Sequence, residues 1–304
     1  MAMKESFEKP LATGEQRRVQ FFSENPGPRL LVTGAIHGNE ICGPMAMARV
    51  IKQFENGELR LQKGAVSFVP ICNPKAYAAD QRFFEQNLNR VIKRRKTPET
   101  YEQGIAQNIC DWIEDCDYLL DLHAFHSEGR PFFVLNRTEP GSLAFSCAVG
   151  DYSIITDFDL VYESVKHIEP ATTVSYAHQQ SKLSCVLECG QMRDPEAPQR
   201  AYDAILRAMR FCGLVEGTLE PPRPERDLWR LVYLQIRERE GRFLKKLSEF
   251  MPVEKGEPLA AYQDGAKVLA PCDGYIIFAS DIAPVGHEWF FIAQKQKISE
   301  ALAS

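Results

Sequence analysis

The stretch Arg29-Leu30-Leu31-Val32-Thr33-Gly34-Ala35-Ile36-His37-Gly38-Asn39-Glu40 decides how the rest of the chain is read. Its first half is a short apolar run and its second half a glycine-containing turn, the pattern of a strand that ends in a loop. On such a loop His37 and Glu40, three residues apart, can turn an imidazole nitrogen and a carboxylate oxygen toward one point. Both are ligand types that Zn2+ accepts, at ~2.0–2.2 Å each. A His-x-x-Glu pair alone is weak evidence in a chain with six histidines. The remaining parts of a site must come from elsewhere.

Three further segments supply them. The apolar run Asp117-Tyr118-Leu119-Leu120-Asp121-Leu122 delivers His123 at its end, with His126 three residues on as a rival. A catalytic zinc takes three protein ligands and leaves one position for water, so a third ligand here would complete the set. Asp121 suits the orientation of a ligating histidine. Ser184-Cys185-Val186-Leu187-Glu188-Cys189-Gly190 is another strand-like run, and its Glu188 is a candidate general base. Arg82 and the run Asn87-Leu88-Asn89-Arg90 gather two guanidiniums and two amides within nine residues. Paired arginines suit recognition of a carboxylate and stabilisation of a developing oxyanion.

In that order, His37-Gly-Asn-Glu40, Asn89-Arg90, Asp121-Leu-His123 and Glu188 resemble the succinylglutamate desuccinylase/aspartoacylase family, the deacylase branch related to zinc carboxypeptidases. The resemblance runs over roughly residues 28 to 195, and the ordered set is far more specific than any one motif. It implies that His37, Glu40 and His123 hold one Zn2+ per chain and that Glu188 is the acid/base. It implies that Arg82 polarises the scissile carbonyl and that Asn89 and Arg90 hold the substrate carboxylate. The implied reaction is hydrolysis of an N-acyl amino acid to a carboxylic acid and a free amino acid. Two departures argue against N-acetylaspartate as substrate. Tyr176-Ala177-His178-Gln179-Gln180 has no arginine where aspartoacylase carries one, and Trp289-Phe290-Phe291 is the best match to its C-terminal tyrosine.

Composition fits a soluble globular enzyme, and the resemblance implies a small-molecule substrate. The 304 residues suffice for one large core or two domains. A net charge of -5 gives no reason to expect a nucleic-acid partner. The one basic cluster, Lys93-Arg94-Arg95-Lys96, reads as a solvated loop. No apolar span of ~20 residues predicts a membrane helix. The N-terminus Met1–Pro10 lacks the apolar core of a secretory signal. The nine cysteines are scattered, odd in number and without a Cys-x-x-Cys pair, which disfavours a disulfide framework and a four-cysteine zinc site. They read as small buried hydrophobes in a reducing cytoplasm. The composition is compatible with a homo-oligomer.

Residues 1–220 alternate strand-like and helix-like segments. Strands are expected at Leu30–Thr33, Ala65–Pro70, Tyr118–Leu122, Pro131–Leu135 and Ser184–Glu188, and helices at Pro44–Phe54, Tyr101–Cys116, Gly141–Asp151 and Pro195–Phe211. That alternation predicts an α/β fold with a mixed, largely parallel sheet flanked by helices. The resemblance makes it zinc-carboxypeptidase-like. Ligand sites in such sheets gather at the carboxyl ends of strands, where the proposed ligands and Glu188 fall. Glu220-Pro-Pro-Arg-Pro-Glu-Arg226 reads as a linker. Beyond it, residues 221–304 are expected to form a small β-rich C-terminal domain, a barrel-like cap on the catalytic domain. Val253–Leu259 and Ala270–Ile277 resemble a lipoyl/biotinyl-type barrel but lack the hairpin lysine of a carrier.

Blander roles compete for each residue. His37 suits a hydrogen-bonded turn and Glu40 a helix N-terminus. Arg82 and Arg90 suit ion pairs with Glu85 or Asp80. His167, His178 and His287 carry no partner signal. The rival functions are a metallocarboxypeptidase acting on short peptides and a non-catalytic metal-binding protein.

Overall fold

The computed structural model describes residues 15–125, 129–165, 171–219 and 226–303. Met1–Pro10, His126, His167 and nearly all of the proline-rich linker lie outside them. The chain divides into two compact units, one of Met1–Tyr152 with Pro170–Arg223, the other of Ser153–Glu169 with Pro224–Ser304. Elements are numbered along the whole chain, so β6 and α5 belong to the second unit.

The first unit is built on strands β1 (Val19–Phe22), β2 (Arg29–Gly34), β3 (Ala65–Val69), β4 (Tyr118–Phe125), β5 (Phe132–Val134) and β7 (Leu183–Gln191). Their order across the sheet is β1-β3-β2-β4-β7-β5. The three inner pairings, β3 with β2, β2 with β4 and β4 with β7, are parallel, and both outer strands are antiparallel. Helices α1 (Cys42–Glu55), α2 (Pro74–Ala78), α3 (Tyr101–Glu114), α4 (Pro140–Val149), α6 (Thr173–Gln179) and α7 (Ala197–Phe211) connect and flank them. This is the mixed, largely parallel α/β arrangement expected. The inner strands are short apolar runs because both of their faces are covered by helices.

Period-two alternation along β4 decides which side chains meet which helices. Leu119 faces a core shared with Ile109 and Ile113 of α3 and Tyr176 and Ala177 of α6. Asp121 and His123, two and four residues on, share that face. Leu122 looks the other way, where a Cβ on Gly43 of α1 would come within 3.1 Å of its own. Both β4 and β7 run past the ends expected for them, so His123 lies within its strand rather than after it, and Glu188 lies inside its strand rather than at the last position. The parallel register sets these two residues directly opposite each other.

The second unit contains β6 (Ser153–Thr156), α5 (Phe158–Glu163), β8 (Asp227–Ile236), β9 (Gly241–Phe243), β10 (Pro252–Val253), β11 (Pro258–Tyr262), β12 (Lys267–Leu269), β13 (Gly274–Ile277), β14 (Glu288–Lys297) and α8 (Ile298–Ala303). Its larger sheet runs β6-β8-β14-β13-β10, with a three-stranded sheet β12-β11-β9 beside it in sequence. All its pairings are antiparallel except β6 with β8. Residues 153–169 join this unit from far away in sequence because Ile154 and Ile155 pair with Leu228 and Trp229. Trp289 lies at its centre, stacked on Phe243 at 5.3 Å and Tyr262 at 5.6 Å. Trp289, Phe290 and Phe291 are all buried, so they pack this unit's interior and present no ring to solvent.

Glu249 of this unit is a carboxyl only partly open to solvent. Its Oε1 accepts the N–H of Phe278 at 2.8 Å, while Oε2 has no partner among the described residues. Burial pushes its pKa up to about 7. The unfolded chain ionises it near ~4.3, so the fold favours the neutral form. That contribution is complete below the unfolded value and is lost as pH rises through about 7. Glu249→Gln is therefore expected to lose less stability than the wild type between about pH 5 and about pH 8, measured as the shift in urea midpoint.

Candidate functional site

The turn after β2 is shaped by two backbone demands. Ala35 takes a left-handed φ of 45°, a conformation that costs a non-glycine residue about 1–3 kcal/mol and concentrates at functional sites. Gly38 donates its N–H to the carbonyl of Arg82 at 3.2 Å and packs on α2, where a Cβ would stand 2.2 Å from Ala76 C and Tyr77 N. Glu40 N–H closes the turn onto the carbonyl of His37 at 3.1 Å.

This geometry brings the two side chains together and sets both against His123. Glu40 Oε1 lies 2.7 Å from His37 Nδ1, and Oε2 lies 2.9 Å from His123 Nδ1. The two imidazole rings stand edge to face, with centroids 5.0 Å apart. All three residues are buried, and a donor atom from each lies within 4.8 Å of the others. Each ring has its far nitrogen held from behind. His123 Nε2 meets Asp121 Oδ2 at 2.9 Å, and Asp121 in turn accepts from Thr33 Oγ1 at 2.8 Å and Thr173 Oγ1 at 2.6 Å. His37 Nε2 meets Asn87 Oδ1 at 3.2 Å. At these distances each Nδ1 donates to Glu40 when it carries a proton, and a proton held on Nε2 alone leaves the Nδ1 lone pair for a cation.

The charges are strongly coupled. Burial drives the pKa of His37 down to about 4, with Arg82 and His123 pushing the same way. Burial also opposes protonation of His123, but the charges of Asp121 and Glu40 prevail and hold its pKa well above the ordinary value. Glu40 is held well below the carboxylate range against its burial, by His37 and His123. Two imidazoles with their outer nitrogens anchored and a carboxylate between them fit a borderline divalent ion such as Zn2+, which would take the place of the proton on His123.

The other expected residues divide into two groups. Glu188 joins the cluster as the register partner of His123. Its Oε2 is shut off from solvent without a hydrogen-bond partner among the described residues. Burial pushes its pKa up to about 7, helped by the charges of Glu40 and Asp121 and opposed by His123 and Arg82. Arg82 also joins, donating from Nη1 to Glu40 Oε1 at 3.1 Å rather than to Glu85 or Asp80. Asn89 sits one step back, its Oδ1 accepting the N–H of Thr173 at 3.1 Å at the start of α6. Arg90 is exposed and donates to the carbonyl of Asn89 at 3.0 Å. In the basic cluster, Arg94 is paired with Asp111 and Glu114 on α3.

Thr33, Thr173 and Asn87 complete the brace behind the histidines. Asn87 is visible in sequence only as part of an amide-rich run. Thr33 and Thr173 carry no local signal at all, since threonines at a strand end and a helix start are common. His178 pairs with Glu139 at the molecular surface, away from this cluster's contacts.

A helix-flanked, mostly parallel sheet of this kind is known from solved structures. The chain is similar to the succinylglutamate desuccinylase of Vibrio parahaemolyticus, with a TM-score of 0.72 over 91% of this chain and 86% of that one at 20% identity. It is similar to the ectoine utilization protein EutE (DoeB) of Ruegeria pomeroyi, with a TM-score of 0.69 over 91% and 88% at 18% identity. In sequence it is 22% identical to a probable aspartoacylase of Nostoc sp. over 79% of this chain and 86% of that protein. It is 36% identical to the N-acyl-aromatic-L-amino acid amidohydrolase (carboxylate-forming) of Rattus norvegicus, over 33% of this chain and 34% of the rat protein. Residues 26–210 match the model of the succinylglutamate desuccinylase/aspartoacylase catalytic domain, and the chain belongs to that family.

The turn makes a direct test of the site's architecture. Gly38→Ala has nowhere to put its methyl group except against the backbone of α2, which cannot give. The substitution is expected to cost roughly 1–3 kcal/mol, read as a lower urea unfolding midpoint.

Proposed function

We propose that this chain is a zinc-dependent amidohydrolase that removes the acyl group from an N-acyl amino acid. The observation that carries the reading is the buried His37–Glu40–His123 cluster with Glu188 directly across the β4–β7 ladder. Family membership and the printed activities of relatives, which include desuccinylases and an N-acyl-aromatic amino acid amidohydrolase, support the reaction class.

His37 and His123 through Nδ1, with Glu40 between them, would hold the zinc, one ion per chain. When bound, such an ion supplies a Lewis acid that polarises a carbonyl and brings the pKa of a coordinated water toward ~7. Glu188 takes a proton from the attacking water and returns it to the departing nitrogen. A carboxyl poised at about 7 suits both transfers near neutrality. Arg82 offers fixed positive charge to the developing oxyanion, where such charge is worth several kcal/mol in a water-poor cleft. Asn89 and Arg90 hold the substrate carboxylate, and the bond from Asn89 to Thr173 ties that grip to the element that steadies Asp121. The chain works in a reducing cytoplasm, in keeping with nine free cysteines. Among the described residues no helix is long and apolar enough to cross a membrane.

The test is a panel of N-acetyl, N-formyl, N-succinyl and N-benzoyl amino acids with dipeptides as controls, read by released amine. Amine release from at least one acyl amino acid and not from dipeptides is expected. Chelation should abolish it and Zn2+ restore it. Glu188→Gln should bind zinc normally while kcat falls ~10²–10⁴-fold. A glutamine variant with wild-type turnover would remove Glu188 from the chemistry.

A further inference from the structure

Glu102 is fully buried at the start of α3, yet it pairs with no cation among the described residues. Its carboxylate is instead wrapped by N–H groups. Oε1 accepts from Phe84 N at 2.7 Å, Glu85 N at 3.2 Å and Asn73 Nδ2 at 3.1 Å. Oε2 accepts from Glu85 N at 3.2 Å and Gln86 N at 3.3 Å. Three successive backbone amides thus form a concave anion cradle, and a side chain of the protein fills it.

The cradle lies in an irregular segment whose other holds are mainly side-chain contacts. Glu85 Oε2 accepts from Tyr101 N at 2.7 Å, Gln86 Nε2 donates to Thr100 Oγ1, and Phe84 packs edge-on against Tyr101. Residues 81–87 form neither helix nor strand, and the side chains of Phe83, Phe84 and Glu85 are exposed. Both ends of that segment reach the candidate metal cluster. Two residues before the cradle, Arg82 donates to Glu40, and immediately after it Asn87 contacts His37. Asn73, which also donates to Glu102, receives no freedom of its own, since its N–H is bound to the carbonyl of Ala35 in the turn that presents His37.

We propose that Glu102 is a positioning residue: the Glu102 carboxylate, by binding the amides of Phe84, Glu85 and Gln86, fixes Arg82 and Asn87 against the metal-binding cluster. The inference rests on the function proposed above for the meaning of Arg82. An uncharged Glu102→Gln side chain presents an NH2 group to N–H donors and cannot fill the cradle with two acceptors. The segment then loses its anchor while the sheet and α3 keep their own packing.

The experiment has two arms. In hydrogen exchange on the zinc-loaded protein, Glu102→Gln should release protection of the 84–86 amides and leave β4 and the centre of α3 as protected as in the wild type. In kinetics, Glu102→Gln should lower kcat/KM about 100-fold, since misplacing a catalytic group by ~1 Å has that effect. In an Arg82→Ala background the same substitution should cost less than about threefold, because neighbours acting as a unit are not additive. Glu102→Asp, which keeps the charge but falls short by one methylene, should lie between the two and provides the same readings if the glutamine variant does not fold. Equal exchange of 84–86 in variant and wild type, or full multiplicative losses in the double variant, would overturn the proposal. If the wild type hydrolyses no N-acyl amino acid, the proposed function falls, and the exchange arm still decides whether Glu102 holds the segment.

Discussion

One carboxylate, that of Glu40, faces two imidazoles with its two oxygens, and the arrangement of the first unit follows from keeping that contact buried. A lone carboxylate out of water is costly, so it persists there only with charge partners and hydrogen bonds on all sides. His37 and His123 supply the partners, Ala124 N–H adds a bond to Oε2 at 3.2 Å, and Arg82 closes Oε1. These groups come from three separate pieces of chain. The β2 turn, the middle of β4 and the 81–90 segment must therefore all be in place before the carboxylate is satisfied.

The outer brace extends the same logic. Asp121 holds His123 with a full charge, while Asn87 holds His37 with a neutral amide. The two histidines depart from their ordinary values in opposite directions: burial drives His37 downward, while the charges of Asp121 and Glu40 overcome burial and carry His123 upward.

Much of this was legible in the sequence because the inner strands are short apolar runs and because histidine and glutamate at their ends are conspicuous. Leu30–Thr33, Tyr118–Leu122 and Ser184–Glu188 mark their strands within a few residues, and the ligand candidates follow from them. Other parts could not be read locally. Ser153–Thr156 has only two apolar residues, Ile154 and Ile155, and nothing within it says that it pairs with β8 more than seventy residues later. The start of α6 is invisible as a partner of Asp121, since that contact spans 52 positions. Glu102 is hidden for the opposite reason: a glutamate in the first turn of a helix has a sufficient local explanation in the helix dipole, and its real surroundings are supplied by a distant loop. β4 continues past His123 to Phe125, and its pairing with β7 is irregular between those two residues, a matter of register that the apolar run does not carry.

The opposition of His123 and Glu188 across neighbouring parallel strands limits how this chain can vary in length. Side chains on a strand change faces at every step, so a single inserted or deleted residue between Leu183 and Glu188 would carry the glutamate to the far side of the sheet, among the packing of α1 and α7. Two such changes would restore the face but shift the carboxylate along the strand by ~6.6 Å. The tolerated insertions and deletions must therefore lie outside the β4–β7 ladder, in the connections before Leu183 and after Gln191, and any attempt to transplant this pair into another scaffold has to carry both strands as one rigid block.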